Sequence, residues 1–295
     1  MFTIDEYRSK VQSLVNLPTL PIIATEIIRI IQEDKLSINQ MLPIIEKDPP
    51  LALKVLKFAN SPFYGLMEKV KSLRHAMVIV GVEQLGQLAM TFSVIRVLQD
   101  SGNGEQIPWR LFWEHSSACG YIAQLLHESL GISTITNPYS LGLLHDIGKL
   151  VFYKIDPNTY TMIYNYCQEN KIASNQAEHE IAGLTHSEIG MWLAEKWGLP
   201  RSISRVIANH HNPTEMDEAE LTTSTAAIAL ADQITNSLNL NFGSAETPEQ
   251  PELSAGWQVL QNNHKLRDDE QLLQFIDKIQ NQRDGIREMV QLLRK

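Results

Sequence analysis

The sequence predicts an all-α protein, and three observations point that way. Apolar residues recur at helical spacing along nearly the whole chain, as in Ile23, Ile27 and Ile30 and again in Leu51, Val55 and Phe58. The strict alternation of a half-buried strand is scarce. The chain of 295 residues, 43% hydrophobic and 20% charged, is long and apolar enough to bury a core as one large domain or as two helical subdomains sharing an interface.

The elements follow in order. Ser37 can cap a helix running toward Glu46, because a short side-chain oxygen accepts from the free amides of a first turn. Asp48 can do the same for a helix opening at Pro49 and Pro50, where proline is tolerated, and that helix ends near Asn60-Ser61-Pro62. From Ser72 to Leu98 the pattern predicts a shorter helix, a turn at Gly81, and a longer helix carrying Leu85, Leu88, Phe92 and Ile95. These elements form an amino-terminal helical part, residues 1–105, closed by a hinge from Ser101 to Pro108 that contains two glycines and a proline. So short a hinge implies that this part packs against the next. Residues 106–236 read as a second helical bundle, in which Thr185 and Glu188 form a capping box for a helix ending at Gly198. Residues 237–295 read as a peripheral linker and tail, polar and proline-bearing from Ser244 to Pro251 and amphipathic from Asp268 to Lys295. Neither an internal repeat nor a sustained heptad is present.

Composition narrows the function classes. A net charge of −9 opposes the electrostatic attraction on which non-specific nucleic-acid binding depends. The helices flanking Gly81 are loosely like a DNA-binding helix-turn-helix, but VEQLGQLAMTFSVIRVL offers few basic or amide side chains for base edges and phosphates. No apolar window approaches the length needed to cross a bilayer, and MFTIDEYRSK lacks the basic and apolar regions of a secretory signal, so the expectation is a soluble, cytoplasmic protein without membrane partners. Two cysteines, Cys119 and Cys167, are too few for a disulfide framework and read as packed thiols.

Chemistry concentrates in histidines and aspartates. In LGLLHDIGK an adjacent His145-Asp146 pair sits inside an apolar helical run, where a buried carboxylate needs a hydrogen bond, a cation or a metal; the plainer alternative is a helix-end hydrogen bond. His115 lies on the stripe of Ala118, Cys119, Ile122 and Leu126 and should face inward. His186 begins the helix capped by Thr185. His210 and His211 close the next helix, where they can also meet its carboxyl-terminal dipole. Asp232 sits in the apolar run AAIALADQI and needs a cation nearby. These residues can converge in a bundle interior, where mixed imidazoles and carboxylates suit iron, manganese or zinc better than calcium, and an aspartate can bridge two ions. A bound water could then be activated toward phosphorus, with Lys149 near enough to stabilise negative charge. His75, His127, His179 and His264 fall outside the pattern and read as surface or ordinary hydrogen-bonding histidines.

The ordered pattern His115, His145-Asp146, Asp232 resembles that of the HD superfamily of metal-dependent phosphohydrolases. LPTLP at 17–21, EKDPPL at 46–51, FANSP at 58–62, VGVEQ at 80–84, WLAEKWGLP at 192–200 and NHHNP at 209–213 narrow the resemblance to the HDOD family, from Leu17 to Asn236. It implies an HD-domain-like bundle with an amino-terminal helical subdomain packed against it. It also implies a bacterial regulatory module that acts by contact with signalling proteins, with a metal or a nucleotide tuning its surface; homodimerisation is compatible with this reading. The related HD-GYP phosphodiesterases carry a glutamate after the paired histidines and a downstream Gly-Tyr-Pro. Here Asn212-Pro213 stands in place of the glutamate and Gly-Tyr-Pro is missing, which argues against hydrolysis of cyclic di-GMP. The retained ligands imply a divalent metal centre, binuclear in its fullest form, iron or manganese being favoured over zinc. The alternative is a metal-dependent phosphohydrolase or phosphodiesterase acting on a nucleotide or cyclic nucleotide. In that case His115, His145, Asp146 and Asp232 would hold a first ion, His186, His210 and His211 a second, and Lys149 would contact phosphate, so that Asp146 and Lys149 carry the catalysis.

Overall fold

Local capping sets the helix starts. The Asp48 carboxylate accepts from the Leu51 amide at 3.1 Å and opens Pro49–Ala59; Ser72 accepts from the His75 amide at 3.2 Å and opens Leu73–Val80. Ser37 precedes Ile38–Glu46 as expected, though its side chain makes no capping bond. The computed structural model describes residues 2–14, 17–33, 35–61, 64, 66–99, 107–132, 134, 136–214, 218–242, 251–263, 269–282, 286–287 and 289–291. All regular structure among them is helical, so the all-α expectation holds. Most of the expected hinge at 101–108, nearly all of the linker at 244–251, parts of the tail, and His264 lie outside the described residues. No single helix among those described is long and apolar enough to cross a membrane.

The chain divides into two compact units. The smaller comprises Thr19–Asp100 with Gln282–Lys295 and contains α2 (Ile22–Gln32), α3 (Ile38–Glu46), α4 (Pro49–Ala59), α5 (Leu73–Val80) and α6 (Val82–Gln99). Gly81, at φ +106°, makes the expected turn between α5 and α6, whose axes bend by 119°. Every residue from Leu85 to Ile95 is buried, so α6 is enclosed on all sides where an amphipathic helix would bury one stripe.

The larger unit comprises Met1–Pro18 and Ser101–Asn281. It contains α1 (Ile4–Gln12), α7 (Trp109–Leu130), α8 (Pro138–Leu144), α9 (Ile147–Ile155), α10 (Pro157–Asn170), α11 (Ser174–Ala182), α12 (His186–Lys196), α13 (Arg201–Asn209), α14 (Ala219–Ser237), α15 (Ala255–Asn263) and α16 (Asp269–Asn281). Helix α7 packs on α8 and α14, and α12 packs on α9 and α13. Two glycine contacts make this closeness attainable. A Cβ on Gly142 of α8 would collide with the Gly120 backbone of α7, and a Cβ on Gly148 of α9 would collide with the His186 carbonyl oxygen of α12. The His145-Asp146 step lies between these two contacts.

Candidate metal centre

The sequence suggested that His145 and Asp146 sit within one helical run. They occupy the break between α8 and α9 instead. His145 ends α8 in right-handed helical geometry, and Asp146, at φ −99° and ψ 7°, begins α9. The Asp146 side chain makes no capping bond, so the plain helix-end role does not account for it. Its carboxylate turns inward, 1% exposed.

The other site residues arrive from separate elements. His115 projects from α7, His186 from the first residue of α12, His210 and His211 from just beyond α13, and Asp232 from the middle of α14. The capping box foreseen at Thr185 is present, the Glu188 carboxylate accepting from the Thr185 amide at 2.8 Å. His115, His145, His186 and His210 are buried, Asp232 is partly buried, and His211 is exposed.

Asp146 stands between two sets of donors. Its Oδ2 faces His115 Nε2 at 3.7 Å and His145 Nε2 at 3.4 Å, and Asp232 Oδ1 lies 3.1 Å from His115 Nε2. Its Oδ1 faces His186 Nε2 at 3.0 Å and His210 Nε2 at 3.6 Å, with His211 Nε2 3.1 Å from His186 Nε2. The seven residues therefore form two adjoining groups within reach of a common ion each, with Asp146 between them.

Hydrogen bonding on the outer side of the rings orients them. Nδ1 lies 2.8 Å from the Leu240 carbonyl oxygen in His115, 2.7 Å from that of Gly142 in His145, and 2.9 Å from that of Ile207 in His210. A carbonyl only accepts, so Nδ1 donates in each case, and in the neutral ring Nε2 is left with a lone pair directed at the centre. His186 Nδ1 donates instead to the Glu178 carboxylate at 2.7 Å. Three buried atoms, His115 Nε2, His145 Nε2 and Asp146 Oδ1, make no well-aligned hydrogen bond among the described residues, only the close approaches within the cluster. Buried polar atoms are rarely left so. Orphaned imidazole and carboxylate donors aimed at two common points fit divalent cations.

Charge in the cluster is finely divided. Burial pushes the Asp146 carboxyl up, but Lys149, whose Nζ donates to Asp146 Oδ2 at 2.6 Å, and the His145 and His186 rings outweigh it and hold the carboxyl well below the ordinary range. Burial lowers His145 to about 4, which keeps the ring neutral near pH 7. Burial also works to lower His186, yet Glu178 and Asp146 raise it to about 9. A cavity of about 300 Å3 opens beside the cluster, and His115, Lys149, His210, His211, Asp232 and Asn236 are among the residues that line it.

The control histidines lie elsewhere. His75 and His179 are exposed, and His127 is buried with Nδ1 donating to the Ala123 carbonyl. Sequence reasoning missed Glu178, a fully buried carboxylate in SNQAEHEIA. Nothing in that polar stretch distinguishes it from its solvated neighbours.

The chain is similar to known proteins in sequence and in fold. Residues 17–213 match the HDOD domain family. An uncharacterized protein of Treponema pallidum is 27% identical over 263 residues, covering 88% of this chain and 49% of its own length, so the chain spans about half of that relative. An HDOD domain protein of unknown function from Geobacter sulfurreducens superposes with a TM-score of 0.80 at 25% identity, covering 98% of this chain and 99% of its own. A Shewanella amazonensis protein that carries the provisional name of phosphohydrolase superposes with a TM-score of 0.71 at 22% identity, covering 97% of each chain, a likeness of fold.

Proposed function

This chain belongs to the HDOD family, and we propose that it is a regulatory signalling module whose larger unit holds two divalent cations in a structural or regulatory role. One observation carries the metal reading: Asp146 divides its two oxygens between two donor groups, in which the His115, His145, His186 and His210 rings are already oriented by their Nδ1 bonds. His115, His145 and Asp232 would hold one ion and His186, His210 and His211 the other, with Asp146 shared between them. Iron or manganese suits this mixed set, with zinc as the next choice. Lys149 balances the Asp146 charge and keeps its carboxylate from rotating out of the centre. The regulatory reading rests on family membership and on Asn212-Pro213, which supplies no carboxylate after the paired histidines.

A second reading, hydrolysis of a phosphate ester, is favoured by the cavity beside the cluster. Bound divalent ions would supply Lewis acidity and an activated water there. The chain's own contribution would be to admit the ester to the cavity that His211 and Asn236 help to line and to present the Lys149 ammonium there.

Elemental analysis of protein purified without chelator or affinity-tag metal tests the first reading. Wild type is expected to carry one to two equivalents of iron, manganese or zinc and His145→Ala fewer; metal-free wild type that takes up none on addition would refute it. Metal-loaded protein screened against nucleotide and cyclic-nucleotide esters tests the second, with turnover expected to vanish in Asp146→Ala. Turnover that persists in that variant assigns the activity to other residues.

A further inference from the structure

Glu178 is a buried ionisable group that neither reading employs. It lies on α11, outside both donor groups, and is fully enclosed. Its Oε2 accepts twice from one residue, from the His186 backbone amide at 2.7 Å and from His186 Nδ1 at 2.7 Å. Its Oε1 has no hydrogen-bond partner among the described residues. Burying a carboxylate with one oxygen unsatisfied is costly, and an ordinary carbonyl acceptor would orient the ring just as well, as it does for His115, His145 and His210.

The difference between His186 and the other three rings is therefore negative charge. A carboxylate behind an imidazole raises the ring's basicity toward a cation on the opposite nitrogen and fixes its tautomer. The group facing His186 needs this more than its neighbour does. The pair of Asp232 and Asp146 serves the His115 and His145 side, whereas His186, His210 and His211 bring no carboxylate besides Asp146.

We propose that Glu178 is the positioning residue of the His186–His210–His211 cation site, supplying from behind the ring the negative charge that this donor group lacks. The inference rests on the two-cation reading. Anchoring both the amide and the ring of His186 also ties the first turn of α12 to α11, so that the imidazole arrives at Asp146 Oδ1 without a choice of rotamer.

The test is competitive chelator titration of the full chain with manganese and with zinc, resolving the two equivalents in wild type, Glu178→Gln and His186→Ala, with folding checked by circular dichroism. Glu178→Gln keeps an oxygen acceptor and the side-chain volume while removing the charge. It is expected to weaken one equivalent about 10- to 100-fold and leave the other unchanged. His186→Ala identifies that equivalent by affecting the same one more strongly. Should Glu178→Gln not fold, Glu178→Asp, which keeps the charge but draws it back by one methylene, is expected to weaken the same equivalent. Two unchanged equivalents, or equal weakening of both, would overturn the inference while leaving the metal reading intact. A wild type that binds no cation overturns the metal reading and this inference together.

Discussion

Lys149 and Asp146 form an enclosed ion pair, 2.6 Å apart with both side chains almost fully buried. Removing one partner of such a pair leaves the other charge uncompensated in a medium that solvates it poorly. Lys149→Met in metal-free protein should therefore lower stability by about 3–5 kcal/mol. A cation seated against Asp146 supplies positive charge from the other side, so saturating manganese should recover part of the loss. Thermal unfolding with and without metal measures both quantities, and a deficit that manganese leaves untouched would separate Lys149 from the cation sites. Single residues also mark how far the sequence could be read. His115, Asp146 and Asp232 stood out because polar groups in apolar helical runs need a partner. Glu178 did not, because its burial comes from tertiary packing that its own polar neighbours in the sequence do not announce.

At the scale of elements, starts and stops with a chemical signature were legible: Asp48 before two prolines, Ser72, Gly81, and the Thr185–Glu188 box. The break between α8 and α9 was not. Its dihedrals fall in right-handed and bridge regions that most residues can adopt, so neither proline nor a positive φ announces it. The break matters because it lets two short helices be placed by two different partners, α7 through Gly142 and α12 through Gly148. Gly148→Ala should force α9 away from the His186 carbonyl, at a cost of about 1–3 kcal/mol, and carry Asp146 out of register with His186. Gly131→Ala gives the comparison. Gly131 has φ +61° with open space around its Cβ direction, so that change costs about 1 kcal/mol through backbone strain alone. Melting temperature and metal content together decide the matter: both should fall in Gly148→Ala, and only the first in Gly131→Ala. Full metal content in folded Gly148→Ala would show that the donors tolerate a displaced α9.

For the whole molecule, every proposed ligand comes from one of the two units, Met1–Pro18 with Ser101–Asn281. The ligands span His115 to Asp232 and reach the centre from α7, the α8–α9 break, α12, the end of α13 and α14. An ion bound there joins segments far apart in sequence, and opening any one of them exposes donors that the cation has neutralised. Ligand that binds only the closed state stabilises it by about 2.7 kcal/mol at a hundredfold excess over its dissociation constant. Amide hydrogen exchange should show where that energy goes. With saturating manganese, exchange is expected to slow about a hundredfold in the helices that carry donors. Helices α2 to α6 supply no ligand and should exchange at the same rates with metal or chelator. If slowing is confined to the donor helices, the cations act as a local clasp in the larger unit, and any regulatory signal they carry must be read on that unit's own surface. Equal slowing in α2 to α6 would contradict a local clasp and show that cation binding is felt by the whole chain.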